Sequence, residues 1–103
     1  MKNVLIEVVL PTTRVSGLPL DPADIAKVEL SMSADSGNTF SFVDNIIPPD
    51  LDYQLNDLPP GTYIFRGTVE DTQERRSTDL DETATIEDES DPSPLASMTV
   101  TVL

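Results

Sequence analysis

The chain has 103 residues, contains neither cysteine nor histidine, and carries a formal net charge of −13 at pH 7. This length predicts a single domain over residues 1–103, and the two missing residue types exclude disulfides, thiolate chemistry and the commonest general base. No apolar run reaches the roughly 20 residues of a membrane-spanning helix, and the acid excess repels the phosphates of nucleic acids, so we expect neither a membrane nor a nucleic acid as partner.

Alternation of apolar and polar residues predicts antiparallel strands along most of the chain. It is clearest in residues 26–32, where Ala26, Val28, Leu30 and Met32 share one face and polar side chains share the other. Strands are predicted at 4–10, 26–32, 39–47, 51–57, 62–71, 82–87 and 96–103, with one helical turn within 21–26. About seven short strands joined by turns are typical of an antiparallel β-sandwich.

Two turns have recognisable chemistry. In ADSGN (34–38), Gly37 and Asn38 are expected to take positive φ and close a hairpin. In LPPGT (58–62), Pro59 and Pro60 cannot donate to a β-ladder and Gly61 turns the chain, so one strand stops and the next begins at once. This break predicts a crossing from one sheet layer to the other.

The side chains that could carry chemistry have simpler interpretations. Carboxylates are abundant but lie in polar segments with no apolar pocket to raise a pKa, and no histidine can activate a serine, so we expect no enzyme activity and no cofactor. The segments DLDE (79–82) and EDESD (87–91) offer oxygen ligands, yet neither has the spacing and glycine of an EF-hand loop. Solvated acidic loops are favoured over a weak calcium site or an acidic contact with a basic neighbour.

The five aromatic residues fall on strand positions that a core would use, and core packing is favoured over a sugar-stacking platform. They are Phe40, Phe42, Tyr53, Tyr63 and Phe65.

Several segments resemble the fibronectin type III domains found in bacteriophage virion proteins and bacterial extracellular enzymes. They are LPTTRVSGLPLDPADIAKVEL (10–30), SADSGNTF (33–40), YQLNDLPPGTYIFRGTVEDTQERRS (53–77) and ETATIE (82–87), so the resemblance spans residues 4–87. It implies a fibronectin-type, immunoglobulin-like sandwich. The tyrosine that often pins the proline–glycine turn in that family would fall at Ile64, whereas this chain has Tyr63, one residue early.

The resemblance also implies that the chain starts at the second strand of the fold, while DPSPLASMTVTVL (91–103) looks like the first. Three arrangements of a C-terminal strand at 95–103 follow. It could fill the vacant edge of its own sheet, as in a circular permutation, or complete the sheet of a neighbouring copy. It could instead be the ordinary seventh strand, with ETATIE as a loop. In all three, Met98, Val100 and Val102 are expected to be core residues.

The resemblance implies a non-enzymatic bacteriophage virion structural protein, made in the host cytoplasm without a secretion signal. The favoured role is a capsid decoration protein that binds the major capsid protein, or another virion protein, in multiple copies on the outer surface of the particle. The alternatives are an adhesion module for glycans or cells, and a tail accessory protein. The expected interaction residues lie in the long loop after the first strand and in the C-terminal strand: Arg14, Leu18, Pro19, Leu20, Met98, Val100 and Val102.

Overall fold

The computed structural model describes residues 1–87, 92 and 94–103, and its regular structure is almost entirely β-strand. The strands are β1 (Lys2–Glu7), β2 (Ile25–Ser33), β3 (Ser41–Ile46), β4 (Asp52–Leu58), β5 (Gly61–Asp71) and β6 (Leu80–Ile86), and one short 3₁₀ turn spans Pro22–Asp24. Within the described residues, none of the helical structure is long and apolar enough to cross a bilayer. The all-β prediction is confirmed, and so is the helical turn before β2.

The strands form two antiparallel sheets. One has four strands in the order β3-β2-β5-β6, and the other pairs β1 with β4 alone. The β2–β3 turn joins two neighbouring strands of one sheet, whereas the β4–β5 turn leads from one sheet to the other. The interpretation of LPPGT as a crossing between layers is therefore confirmed, and the arrangement is consistent with a β-sandwich.

The core lies between the inner faces of the two sheets. Its centre is Leu30 of β2, Tyr63 and Phe65 of β5, Leu58 and Ile86. The side chains packed against this centre come from β1 and β4, which supply Val4, Ile6, Tyr53 and Leu55, and from the four-stranded sheet, which supplies Met32, Val43 and Ala84. Alternate residues of each strand thus meet across the two layers, as their period of two requires.

The proline–glycine turn is held by Tyr63, which stands one residue before the position that the family resemblance gives to this tyrosine. The hydroxyl of Tyr63 donates a hydrogen bond of 2.7 Å to the carbonyl oxygen of Pro59, four residues upstream. The ring is buried, so the turn is tied directly to the core. Tyr63 therefore stabilises the turn, and no tyrosine at position 64 is required for this hydrogen bond.

A hydrogen-bonded network closes the β2–β3 hairpin. The carboxylate of Asp35 accepts from the hydroxyl of Ser33 at 2.7 Å and from the amide of Thr39 at 2.9 Å, and it also accepts from the hydroxyl of Thr39. Positive φ occurs at Ser36 and Gly37, not at Gly37 and Asn38 as predicted. Hydrogen bonds from the Thr39 hydroxyl, the Thr39 amide and Ser33, in that order, lower the pKa of Asp35 to about 2.

The expectation that all five aromatic rings are in the core is wrong for two of them. A shift in the β2–β3 register between Leu30 and Ser31 places Phe42 opposite Ser31, on the outer face, where its side chain is 60% exposed. Phe40 is half-buried on the same side, with the guanidinium carbon of Arg66 3.8 Å from its ring centroid. The physical reason is the bulge, since a shift of one residue exchanges the two faces of a strand.

Residues 94–103 form no strand with the part of the chain that the structure describes. Residues 94–103 have no strand pairing, and Met98, Val100 and Val102 are 75%, 81% and 94% exposed. In the single chain, the expectation that these three side chains are core residues is therefore wrong. The arrangement in which the C-terminal strand fills the edge of its own sheet is also wrong, because residues 94–103 have no strand pairing. The arrangement in which it is the ordinary seventh strand is wrong as well, because ETATIE is not a loop but belongs to β6, which pairs with β5. The radius of gyration, 20.3 Å against about 13 Å for a compact domain of this length, reflects an extended molecule.

The Tyr63 hydroxyl generates a stability prediction. We expect Tyr63→Phe to lower the free energy of unfolding by about 1 kcal/mol, because it removes a part-buried hydrogen bond and keeps the ring. Urea denaturation measures the change. The matched control is Tyr53→Phe, since the Tyr53 hydroxyl makes no hydrogen bond to the described residues; an equal loss in both variants would contradict the role of the turn.

The Asp35 network generates a pH prediction. A carboxylate whose pKa is lowered on folding stabilises the native state above its unfolded pKa, and this contribution disappears as pH falls. We therefore expect Asp35→Asn to be less stable than the natural chain at neutral pH and the difference to shrink as pH falls from about pH 4 through about pH 2. Urea midpoints across this range test it, with Asp50→Asn as a control for loss of one exposed charge; a difference at pH 2 as large as that at neutral pH would contradict it.

Candidate interaction surfaces

The long connection after β1 folds into a small hairpin of its own, which we call the β1–β2 loop (residues 8–20). The amide of Arg14 donates to the carbonyl of Leu18 at 2.8 Å, and the amide of Leu20 donates to the carbonyl of Thr12 at 2.9 Å. Gly17 closes the turn with φ of 88°, a conformation that favours glycine. The predicted loop residues Arg14, Leu18, Pro19 and Leu20 are thus brought together.

A side-chain contact ties this loop to the four-stranded sheet. The guanidinium of Arg14 lies 3.1 Å from the carboxylate of Asp71, at the end of β5, and Asp71 is only 7% exposed. Asp71 also accepts from the amides of Arg75 and Gln73 at 2.8 and 2.9 Å. These donors, the Arg75 amide foremost, hold the pKa of Asp71 below its usual range although burial raises it. Arg14 therefore orients the loop and is not a free cation.

The loop presents apolar side chains without any acid. Residues 8–20 contain one arginine and no carboxylate, in a chain with 19 aspartates and glutamates. Val9 and Val15 are fully exposed and Leu18 is 63% exposed, while Leu20 is half-buried. The sequence predicted Leu18, Pro19 and Leu20 as contact residues, and exposure adds Val9 and Val15 to that candidate set.

A second surface, which the sequence did not predict, is an open groove between β1 and β6. We call it the edge groove. It has a volume of about 510 Å³, and its apolar lining comes from both sheets: Ile6, Val8, Val28, Leu30, Phe65, Val69 and Leu80. A separate, smaller depression is lined by residues 2–4 and 84–87. The lining is drawn from strands far apart in the chain, so no local pattern in the sequence signals it.

The tail is the third surface. We use this name for residues 96–103, ASMTVTVL, which contain no charged side chain. Met98, Val100 and Val102 alternate with polar residues and are exposed, so the structure does not pack them into a common site with the β1–β2 loop. An exposed row of apolar residues on this scale indicates a protein contact.

Ion pairs neutralise much of the basic charge on the outer face of the four-stranded sheet. Arg66 binds Asp81 through two hydrogen bonds of 2.9 and 3.1 Å, which lower the pKa of that carboxyl. Arg76 bridges Glu29 at 3.2 Å and Glu70 at 3.0 Å. Lys27 lies 3.7 Å from Glu70. The acidic side chains outnumber these basic ones, so the net charge of the chain stays strongly negative and repels anions.

The acidic segments considered as cation sites do not assemble one in the described part of the chain. No group of three or more potential metal-ligating side chains is found there. In DLDE, the carboxylates of Asp79 and Asp81 lie within 3.4 and 2.9 Å of the Arg66 guanidinium. EDESD falls outside the described residues except for Glu87.

Comparison of the chain with family models, curated proteins and solved structures gave no significant match.

The Arg14 contact generates a prediction about the loop. We expect Arg14→Ala to raise the pKa of Asp71, because the carboxylate loses a cationic donor. We also expect faster hydrogen exchange at the backbone amides of residues 14 and 20, because the loop loses its contact with β5. NMR-detected exchange and a carboxyl titration measure both effects. Lys27→Ala removes the same charge from a different ion pair, so equal effects in that variant, or none in Arg14→Ala, would contradict the prediction.

Proposed function

We propose that this protein is a non-enzymatic structural component of a bacteriophage virion. In this proposal it decorates the outer surface of the capsid in multiple copies and binds the major capsid protein. The observation that carries the proposal is the β1–β2 loop, because it is an exposed apolar end, free of carboxylates, on a strongly acidic domain. Such an end suits contact with another protein, whereas the rest of the surface favours solvent.

The strand arrangement supports the finer assignment to the fibronectin type III class. An immunoglobulin-like sandwich places its second and fifth strands in one sheet and its third, sixth and seventh strands in the other. The pair β1-β4 and the sheet containing β2, β5 and β6 follow this order when β1 is counted as the second strand. The hydrogen bond from Tyr63 to Pro59 corresponds to the tyrosine corner of such sandwiches.

The charge distribution supports a position on the outside of a particle. The excess of acid keeps neighbouring particles apart and disfavours contact with packaged nucleic acid. The β1–β2 loop would face the capsid, since it can approach without burying an unpaired carboxylate. Many such contacts on one lattice give a high total affinity even when each is weak.

Particle binding tests the proposal directly. Purified protein is mixed with virions of its phage from which the gene has been deleted, and is sedimented with them. We expect it to bind in numbers comparable to the major capsid protein. Leu18→Glu should weaken binding about tenfold or more, because it places a charge in the contact, whereas Phe42→Glu, at an exposed site on β3, should not.

Other outcomes would replace this proposal. Failure to sediment with particles, combined with binding to host polysaccharide, would indicate an adhesion module. Labelling of the tail alone in electron micrographs would indicate a tail accessory protein. Equal binding of the Leu18→Glu and Phe42→Glu variants would show that the β1–β2 loop is not the contact surface.

A further inference from the structure

We propose that the tail of one copy adds as a strand along the free edge of β1 in a second copy, with Met98, Val100 and Val102 inserted into the edge groove. This inference goes beyond the capsid proposal, because it would link copies of the chain whether or not they sit on a particle. It names the partner as another molecule of the same protein.

The first support is the unpaired edge of β1. The amide of Val8 donates to the carbonyl of Leu51, and residues 4–7 continue the same ladder with β4. Because the direction of backbone groups alternates along a strand, those of Leu5 and Glu7 point away from β4. No strand of the described residues pairs with that side, and a sheet of only two strands is marginal by itself.

The second support is the shape and chemistry of the edge groove. Beside its apolar lining, its floor includes Gly67 of β5, which leaves room where a side chain would stand. A Cβ added at Gly67 would meet only Val28, with its Cγ1 atom at 3.7 Å, an ordinary contact distance. The groove therefore has space for apolar side chains from a further strand between the two sheets.

The third support is that the tail matches the groove in length and pattern. Its eight residues compare with six in β1 and seven in β6, the two strands that border the groove. Met98, Val100 and Val102 occupy alternate positions, so their face of the tail would enter the groove while Thr99, Thr101 and the terminal Leu103 face outward. The tail itself has no charged side chain, so its insertion places no charge of its own in the groove, whose lining includes the carboxylates Glu7 and Glu82 besides the apolar residues.

The exposure of the tail points to a second copy as the occupant. In the single chain, the tail leaves its apolar face in solvent and the edge groove is open, so each copy has one donor and one acceptor. Donor and acceptor are different surfaces, so the contact is heterologous. Repetition of such a contact produces either a closed ring or an open chain of copies.

Variants on each side of the contact test the proposal. Light scattering coupled to size exclusion should show the natural full-length chain as oligomers whose masses are multiples of 11.2 kDa. Val100→Asp should be monomeric, because it places a charge on the inserted face. Thr99→Asp, the same charge on the outward face of the same tail, should keep the oligomers. Gly67→Leu should fold and be monomeric, because its side chain occupies the groove.

Mixing the variants separates donation from self-insertion. Val100→Asp keeps an intact groove and Gly67→Leu keeps an intact tail, so an equal mixture should form a dimer of 22.4 kDa, twice the mass of one chain, and nothing larger. Circular dichroism confirms that each variant is folded. If Gly67→Leu does not fold, Leu5→Pro replaces it, since that change removes an outward-facing amide of β1 and leaves the β4 ladder intact.

A monomeric natural chain at all concentrations, or folded variants that fail to form a dimer when mixed, would overturn the proposal. Loss of oligomers in Thr99→Asp as well as Val100→Asp would also overturn it, because the face of the tail would not matter. These results are independent of particle binding: Val100→Asp retains the β1–β2 loop, so capsid binding can fail while strand donation holds, and the reverse.

Discussion

The edge of β1 opposite β4, along which no strand of the described residues pairs, is the constraint on which the rest of this structure depends. A domain of 103 residues has little apolar surface to spare, and here only two strands cover a sheet of four. The part of the inner face near β6 is left under an open groove. Outside its two sheets the chain has a row of exposed apolar side chains, Met98, Val100 and Val102, which could fill such a groove. The proposed strand donation would bring this groove and these side chains together.

Acidic side chains are unevenly distributed over the surface, and two exposed segments contain none. Acidic side chains on the outer face of the four-stranded sheet are partly neutralised by Arg66, Arg76 and Lys27. The β1–β2 loop and the tail contain no carboxylate side chain, and both expose apolar residues, among them Val15 and Val100. A protein that is this acidic keeps such segments accessible without general aggregation, because like charges oppose unselective contact.

Particular residues show where local pattern was a sufficient guide and where it failed. Val28 and Leu30 are buried as their alternation predicts, because β2 is central in its sheet and has neighbours on both sides. Phe42 is exposed because a bulge in the edge strand β3 exchanges the two faces, and a bulge leaves no mark on the apolar pattern. Tyr63 holds its turn because the turn geometry brings the Pro59 carbonyl to its hydroxyl, which a sequence position alone does not reveal.

The sequence by itself determined the class of fold, because a period of two in apolar residues is compatible with strands and not with helices. It also determined that residues 96–103 can form a strand and which of their faces is apolar. Only the tertiary structure decided that this segment pairs with no strand of the described residues and that an open apolar groove lies between β1 and β6. The reason is physical: alternation shows which face of a strand avoids water, but the neighbour that covers that face is chosen by packing between distant segments.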